Sequence, residues 1–333
     1  MKILQVCSAN VLGGGEVHVI ELTDKLRERG HQVQVAGRPG GPLDLDYELG
    51  FHNALDLYTA FKLRRIIARE GFDVVHAHVA RDYPIVAMAM LGLAGPKLVL
   101  TRQLIFRVKA HPAYRRVDGW VVTTDQILAS IKHLSPRATT IVPNWVDSVK
   151  MPYQPSELRQ PIKLGLLGQI SPHKGHDDAI SAMRELGDGF RLLIGGRGQP
   201  DYERSLKDRA RDLPVEFLGF VKPARFLRQI DMLVLTSWEE PFGIVVVEAM
   251  AAGVNVIATD AGGPPEILDH GRAGILVPPR NPTALADAVR DLATKEALRK
   301  QLREEARKRV ESRYDINLTV PRIEQFYDQL GGP

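Results

Sequence analysis

"KILQVCSANVLGGGEVHVIELTDKLRERGHQVQVAG", residues 2–37, reads as one complete structural unit. "KILQVC" is a short apolar strand and Gly13–Gly15 break it. "EVHVIELTDKLRERG" then sets Val19, Leu22 and Leu26 at helical spacing before Gly30, a residue suited to a helix C-terminus. "HQVQVAG" alternates as a half-buried strand. Strand, glycine turn, helix, strand is the opening of an α/β domain with a parallel sheet.

The same grammar continues through "TAFKLRRIIAREG" (helix), "DVVHAHV" (strand), "PIVAMAMLGLAGP" (buried helix), "KLVLT" and "GWVVTT" (strands). At 141–161 four prolines appear and periodicity stops, which marks a domain boundary. It restarts with "IKLGLLG", "DDAISAMREL", "FRLLIGG", "YERSLKDRARDL", "VEFLGFV", "MLVLTS", "VVVEAMAAG" and "NVIATD". Asn281 followed by Pro282 suits an N-cap and first helical position. The length of 333 residues fits two domains of about 150 each. A content of 44% hydrophobic and 25% charged residues is that of a globular chain and excludes disorder. A lone cysteine, Cys7, excludes a disulfide framework, and the N-terminus reads as a strand, not a leader; a reducing cytoplasm is the expected location. The apolar run 84–96 is shorter than the roughly 20 residues needed to span a bilayer.

Two α/β units joined by a proline-rich hinge imply a cleft, with ligands at the carboxyl ends of the strands. Four glycine-rich loops follow strand ends: 13–15, 168–175, 195–198 and 260–263. The first opens a helix, whose N-terminal N–H groups suit a phosphate, although a tight turn would also use glycine there. A dinucleotide fingerprint would want glycine at His18 and an acid where Gly37 and Arg38 stand, so NAD binding is only a runner-up. Lys174, beside a helix start, suits a diphosphate clamp, and Arg197 is a second cation in a glycine-rich loop.

"SWEEPFGIVVVEAM", residues 237–250, sets Glu240 before a Pro-Phe-Gly turn and Glu248 inside the helix that follows. Both acids can accept hydroxyl hydrogen bonds from a sugar and a ribose; a capped helix with one solvent-facing acid is the competing reading. In "HAH", His76 and His78 share a strand face, with too few further ligands for a metal, so one packed and one cleft-lining histidine is expected. "RQLIFRVKAHPAYRR", 102–116, carries five basic residues and no acid, interleaved with Leu104, Ile105, Phe106 and Tyr114. It suits an anionic membrane, an acidic acceptor or a plain solvated face, and no nucleic-acid recognition module accompanies it. Residues 1–150 hold 19 Lys+Arg against 14 Asp+Glu, so the basic bias sits in the first half and favours anionic partners.

These residues, with "GGGEVHV", "DVVHAHV", "PNWVD", "LGQISPHKG", "VEFLGFV" and "EPFGIVVVEAMAAGVNVIATDAGGPPEI", resemble the retaining glycosyltransferases of family 4 over nearly the whole chain. The resemblance implies the GT-B fold, an α/β arrangement of two Rossmann-like domains facing across a cleft. The N-terminal acceptor domain would be 1–145, the hinge 146–161 and the nucleotide-sugar domain 162–311, with the helix from about 312 packing back on the first. It implies transfer of a hexose from a nucleotide-diphosphate sugar to an acceptor hydroxyl, on a lipid or cell-envelope glycan among other acceptors, with retention and no cofactor or metal. Lys174, Glu240 and His78 are the catalytic candidates. Gly14, Gly15, Gln169, Lys174, Arg197, Glu240, Phe242, Gly243, Ile244 and Glu248 are the donor-binding candidates. Glu240 would take sugar hydroxyls, Glu248 the ribose, residues 242–244 would offer N–H groups, and Lys174 would neutralise the diphosphate. Arg102, Gln103, Arg107, Lys109, Arg115 and Arg116 form the candidate acceptor or membrane face, the latter peripheral on the inner side of the membrane. Three positions depart from the family pattern: Gln169 where Arg is frequent, with Arg197 as its candidate replacement; Gln103 where His is frequent; and Trp145 in place of a glycine. The alternatives are a nucleotide-sugar-binding scaffold with little turnover and a sugar-nucleotide epimerase of the same fold.

Overall fold

The computed structural model describes residues 1–11, 13–155 and 157–331. The chain forms two α/β units, Met1–Asn144 with Asn317–Pro333, and Trp145–Ile316.

In the first unit the chain runs β1 (Lys2–Cys7), α1 (Gly14–Glu28), β2 (Gln32–Gly37), β3 (Tyr47–Glu48), α2 (Leu57–Glu70), β4 (Val74–Ala77), α3 (Asp82–Met90), β5 (Lys97–Arg102), β6 (Gly119–Val122), α4 (Asp125–Ile131) and β7 (Thr139–Ile141). The sheet order is β3-β2-β1-β4-β5-β6-β7, and every pairing is parallel. The chain therefore winds away from β1 in one direction and returns to continue in the other. The carboxyl ends of β1 and β4 are the switch point where such sheets take ligands. The strands are buried on both faces, as the valine-rich "DVVHA" requires.

The second unit runs β8 (Ile162–Leu167), α5 (His176–Leu186), β9 (Phe190–Gly195), α6 (Pro200–Arg209), β10 (Val215–Gly219), α7 (Pro223–Leu227), β11 (Met232–Leu235), α8 (Ile244–Ala252), β12 (Asn255–Thr259), α9 (Pro264–Ile267), β13 (Ile275–Val277), α10 (Pro282–Thr294) and α11 (Glu296–Arg309). Its parallel sheet has the order β10-β9-β8-β11-β12-β13. The amide oxygen of the Asn281 side chain caps α10 by accepting from the Ala284 N–H at 3.0 Å. Helix α8, "IVVVEAMAA", is buried around most of its circumference, and only Ile244 and Glu248, four residues apart on one face, are half-exposed.

A last helix, α12 (Ile316–Gly331), takes the chain back to the first unit. Val146 N–H donates to the Tyr314 carbonyl at 2.8 Å and Ile316 N–H to the Val146 carbonyl at 3.0 Å, so the outgoing and returning segments are bonded side by side. Gln154 N–H also donates to the Ala252 carbonyl. The proline-rich stretch read from sequence as a hinge is thus packed into the second unit, and the crossing back falls at 316–317, later than the expected 312. No helix among the described residues is long and apolar enough to cross a membrane.

Helix α12 is held by an absence: a Cβ on Gly119 would lie 2.6 Å from the Phe326 ring and 2.9 Å from Leu330. Gly119→Val is expected to lift α12 and cost about 3 kcal/mol, read as a lowered urea midpoint.

Candidate active site

In the second unit the loops after β8, β9, β11 and β12 all leave the same edge of one parallel sheet. The β8–α5 loop carries Lys174 in a single turn, Pro172–Lys174, ended by Gly175 at φ +66°. A Cβ on Gly175 would stand 2.0 Å from the Thr236 carbonyl oxygen, so only glycine lets this loop reach the end of β11. The join is sewn by three hydrogen bonds. Thr236 Oγ1 donates to the Lys174 carbonyl at 2.9 Å, Trp238 N–H to the His173 carbonyl at 2.8 Å, and Trp238 Nε1 to Asp178 Oδ2 at 2.8 Å.

The result is a contact between residues 66 positions apart: Lys174 Nζ donates to Glu240 Oε2 at 2.6 Å. The same oxygen accepts from Ser237 Oγ at 2.9 Å. The two charged side chains are only 22% and 11% exposed, so solvent screens the pair weakly. Glu240 opens the turn, Gly243 at φ +98° ends it, and α8 begins at Ile244. The first-turn N–H groups of α8 have no carbonyl partner within the helix and carry its positive dipole end. Glu248 lies on the half-exposed Ile244 face of the same helix, one turn further on.

The other glycine-rich loops make close backbone contacts that their composition does not reveal. A Cβ on Gly262, at φ +86°, would lie 2.0 Å from the Glu240 carbonyl oxygen, and one on Gly263 2.4 Å from that of Phe242. Gly263 N–H donates to the Glu240 carbonyl at 2.8 Å. Residues 260–263 are therefore the seat of the Glu240–Phe242 turn, and close backbone approach explains the glycines. Gly196 and Gly198 likewise make room for the Gly168 and Ile170 carbonyls, 1.8 and 2.1 Å from a built Cβ. That approach brings Gln169 and Arg197 together: both line a depression of about 240 Å³ with Ser171, Pro172, Gln199 and Tyr202. The Arg197 side chain has no ion pair or hydrogen bond among the described residues.

In the first unit α1 starts at Gly14, where the Gly13 N–H is taken by Glu16 Oε2 at 2.8 Å. Gln103 lies against this turn, its Oε1 3.3 Å from where a Gly15 Cβ would stand, and its Nε2 donates to Asn144 Oδ1 at 3.3 Å. His76 is fully buried, with Nδ1 2.6 Å from the Tyr327 hydroxyl and Nε2 2.6 Å from Thr101 Oγ1. His78, half-exposed, sits on the same strand face with its ring 4.2 Å from that of His76 and Nε2 2.6 Å from Gln5 Oε1. Burial drives the pKa of His18 and His76 down from 6.5 to about 3, and burial with the neighbouring imidazoles holds His78 well below 6.5. All three are neutral at pH 7.

This cluster sets a pH dependence. Because the folded pKa values lie below the unfolded value, the unfolded chain binds more protons once pH drops under 6.5. Stability is then lost on acidification by about 1.4 kcal/mol per pH unit for each histidine. Asp82, buried at the start of α3 and raised to about 6, works the other way and offsets one of them between pH 6 and 4. We expect the thermal midpoint to fall from pH 7 to pH 5, and His76→Gln to make that fall shallower.

The basic segment 102–116 divides. Arg102 is 4% exposed and donates to the Phe106 carbonyl; Arg116 donates to the Met90 and Pro96 carbonyls and to Asp118. Both are structural props beside the core and leave the expected face. Arg107, Lys109 and Arg115 remain exposed.

Known proteins resemble this chain along most of its length. Residues 154–309 match the family model of glycosyl transferases group 1, and residues 12–150 that of glycosyltransferase family 4. The chain is 32% identical to glycogen synthase of Mycobacterium tuberculosis over 95% of this chain and 91% of the relative. It is 29% identical to the phosphatidyl-myo-inositol mannosyltransferase of Mycolicibacterium smegmatis over 100% and 95%. Among solved structures, HepE of Anabaena in complex with UDP-glucose superposes with a TM-score of 0.84 at 21% identity, covering 99% of this chain and 100% of that one. That likeness identifies the fold as GT-B.

Proposed function

Because the chain belongs to glycosyltransferase family 4, we propose that it transfers a hexose from a nucleotide-diphosphate sugar to an acceptor hydroxyl with retention of anomeric configuration. The observation that carries this reading is the Lys174–Glu240 pair at the carboxyl edge of the second sheet, beside the start of α8. A cation and an acid 2.6 Å apart are matched to the two ends of a glycosyl phosphate, the leaving oxygens and the sugar hydroxyls. On donor binding Lys174 moves its hydrogen bonds to the diphosphate and Glu240 accepts from the sugar. Ser237 keeps the carboxylate aimed during the exchange.

The bond from the anomeric carbon to the phosphate oxygen breaks, and the acceptor oxygen attaches from the same face. Its proton passes to the departing phosphate. Catalysis is then positioning plus stabilisation of the leaving charge, which suits Lys174 and the N–H groups of 242–244. Glu248 takes the ribose hydroxyls, and Arg197, standing next to Gln169, supplies the second phosphate cation. In the first unit Gly14 and Gly15 are the candidates for the donor phosphate and the incoming acceptor, Gln103 is an acceptor candidate and His78 a catalytic candidate. No resident metal enters this scheme. Relatives whose names include phosphatidyl-myo-inositol mannosyltransferase support a lipid-linked acceptor. The reading places the protein in the cytoplasm at an anionic membrane surface.

The test is proton NMR of UDP- and GDP-hexoses incubated with the protein, with and without EDTA. Released or transferred sugar is expected first in the donor's own anomeric form, at a rate EDTA leaves unchanged. Initial appearance of the opposite anomer would overturn retention. Nucleotide binding without any donor consumption would favour the scaffold reading, for which Gln169 and Gln103 are the specific argument.

A further inference from the structure

Among the described residues of the first unit, exposed large apolar side chains cluster at the start of α2. Leu55, Leu57, Tyr58 and Phe61 are 67%, 68%, 65% and 58% exposed, four large apolar side chains within seven residues. Helix α2 already buries Ala60, Leu63 and Ile67 in the core, so its first turns carry a second apolar face that folding does not use. Lys62 and Arg65 are exposed just beyond it, with Lys62 Nζ 4.4 Å from the centre of the Tyr58 ring. The acids of this helix are occupied. Asp56 caps it by accepting from the His52 and Thr59 N–H groups, and Glu70, at the far end, pairs with Lys2 and Arg69.

Topology puts a second patch at the same edge of the sheet, with α3 between the two. Helix α2 packs on α3, and α3 packs on the turn Pro112–Arg116, so the three line one face of the sheet. The start of α2 and the loop 103–111 both leave carboxyl ends of parallel strands, and therefore sit at the same edge. That loop exposes Leu104 and Phe106, with Arg107 and Lys109 next to them and Arg115 on the turn.

We infer that the first turns of α2 and the loop 103–111 together form a membrane-docking face for an anionic lipid bilayer, with Leu57, Tyr58 and Phe61 entering the interface and Lys62, Arg65, Arg107, Lys109 and Arg115 meeting the headgroups. Apolar side chains rimmed by cations of one sign match an anionic bilayer in both polarity and charge. A second copy of the chain is disfavoured, because the same cations would face each other across the joint. The inference deepens the lipid-linked acceptor reading and rests on it for its purpose: Gln103, placed against the Gly15 turn, directly precedes the docking loop, so a lipid-borne hydroxyl would arrive at the acceptor edge.

The experiment is co-sedimentation of the full chain with phosphatidylglycerol vesicles and with phosphatidylcholine vesicles. Binding to the anionic vesicles only, weakened by salt, is expected. The double variant Leu57→Ser, Phe61→Ser should bind at least ~10-fold more weakly at an unchanged thermal midpoint, and Lys62→Ser, Arg65→Ser should flatten the salt dependence. Failure of the wild-type chain to bind either vesicle overturns the proposal, as does undiminished binding by the Leu57/Phe61 variant. A wild-type dimer that the same variant disperses would assign the face to a second copy and overturn it too. Thermal response to UDP and GDP is read on the same samples. Its absence would sink the transferase reading while leaving the vesicle result to stand or fall by itself.

Discussion

Lys174→Ala is expected to lower kcat/KM by about a hundredfold to a thousandfold, the size of effect seen when a preorganised group that stabilises developing charge is removed. Two consequences combine. The leaving diphosphate loses its nearest cation, and Glu240, whose side chain is 11% exposed, loses the partner that holds it in place. The variant should therefore also bind free nucleoside diphosphate about tenfold more weakly. Glu240→Gln separates the two roles. A free nucleotide has no sugar for Glu240 to hold, so its affinity should stay within about twofold of wild type while turnover falls as in the lysine variant. Equal loss of nucleotide affinity in both variants would mean that the pair supports the loop without contacting the two ends of a donor.

Gly262→Ala is expected to be the most disruptive single methyl group in the second unit. Its Cβ would meet the Glu240 carbonyl oxygen at 2.0 Å from a residue held at φ +86°, and neither atom is a side-chain end that can swing away. Steric displacement and left-handed strain together should cost at least about 3 kcal/mol. The thermal midpoint should fall by roughly 6–12 °C for a unit of this size. Activity measured well below that midpoint should fall further than unfolding explains, because the displaced atom belongs to the residue proposed to hold the donor. Gly30→Ala is the matched control: φ is +89°, but nothing lies within 4 Å of the added carbon. It should cost only about 1–2 kcal/mol and leave kcat unchanged.

What could be read in the sequence followed from periodicity. The strand-turn-helix order, the second α/β unit and the placement of Glu240 and Glu248 around the start of a helix all depend on residues within about ten positions of each other, which spacing reports directly. The Lys174–Glu240 contact depends on two loops meeting across β8 and β11, and no local pattern encodes it. The packing of the glycine loops was illegible for a related reason. Gly196, Gly198, Gly262 and Gly263 are small because another backbone passes over them, and composition cannot tell that approach from a ligand's. Arg102 and Arg116 look like surface charge in a one-dimensional count, yet carbonyl groups at the ends of core elements absorb both. The first turns of α2 escaped notice because Leu57 and Phe61 share a helical pattern with Ala60 and Leu63, and only the three-dimensional packing shows that one set is buried and the other exposed.

The central claim is that the second unit holds a nucleoside diphosphate with Lys174 on its phosphates. Calorimetric titration of UDP, GDP, ADP and NAD into the wild-type chain and Lys174→Ala tests it most directly. Saturable binding of one nucleoside diphosphate, weakened about tenfold by the substitution, is expected, with no binding of NAD. Binding of NAD alone, or of no nucleotide, or a nucleoside diphosphate affinity that Lys174→Ala leaves unchanged, would contradict it.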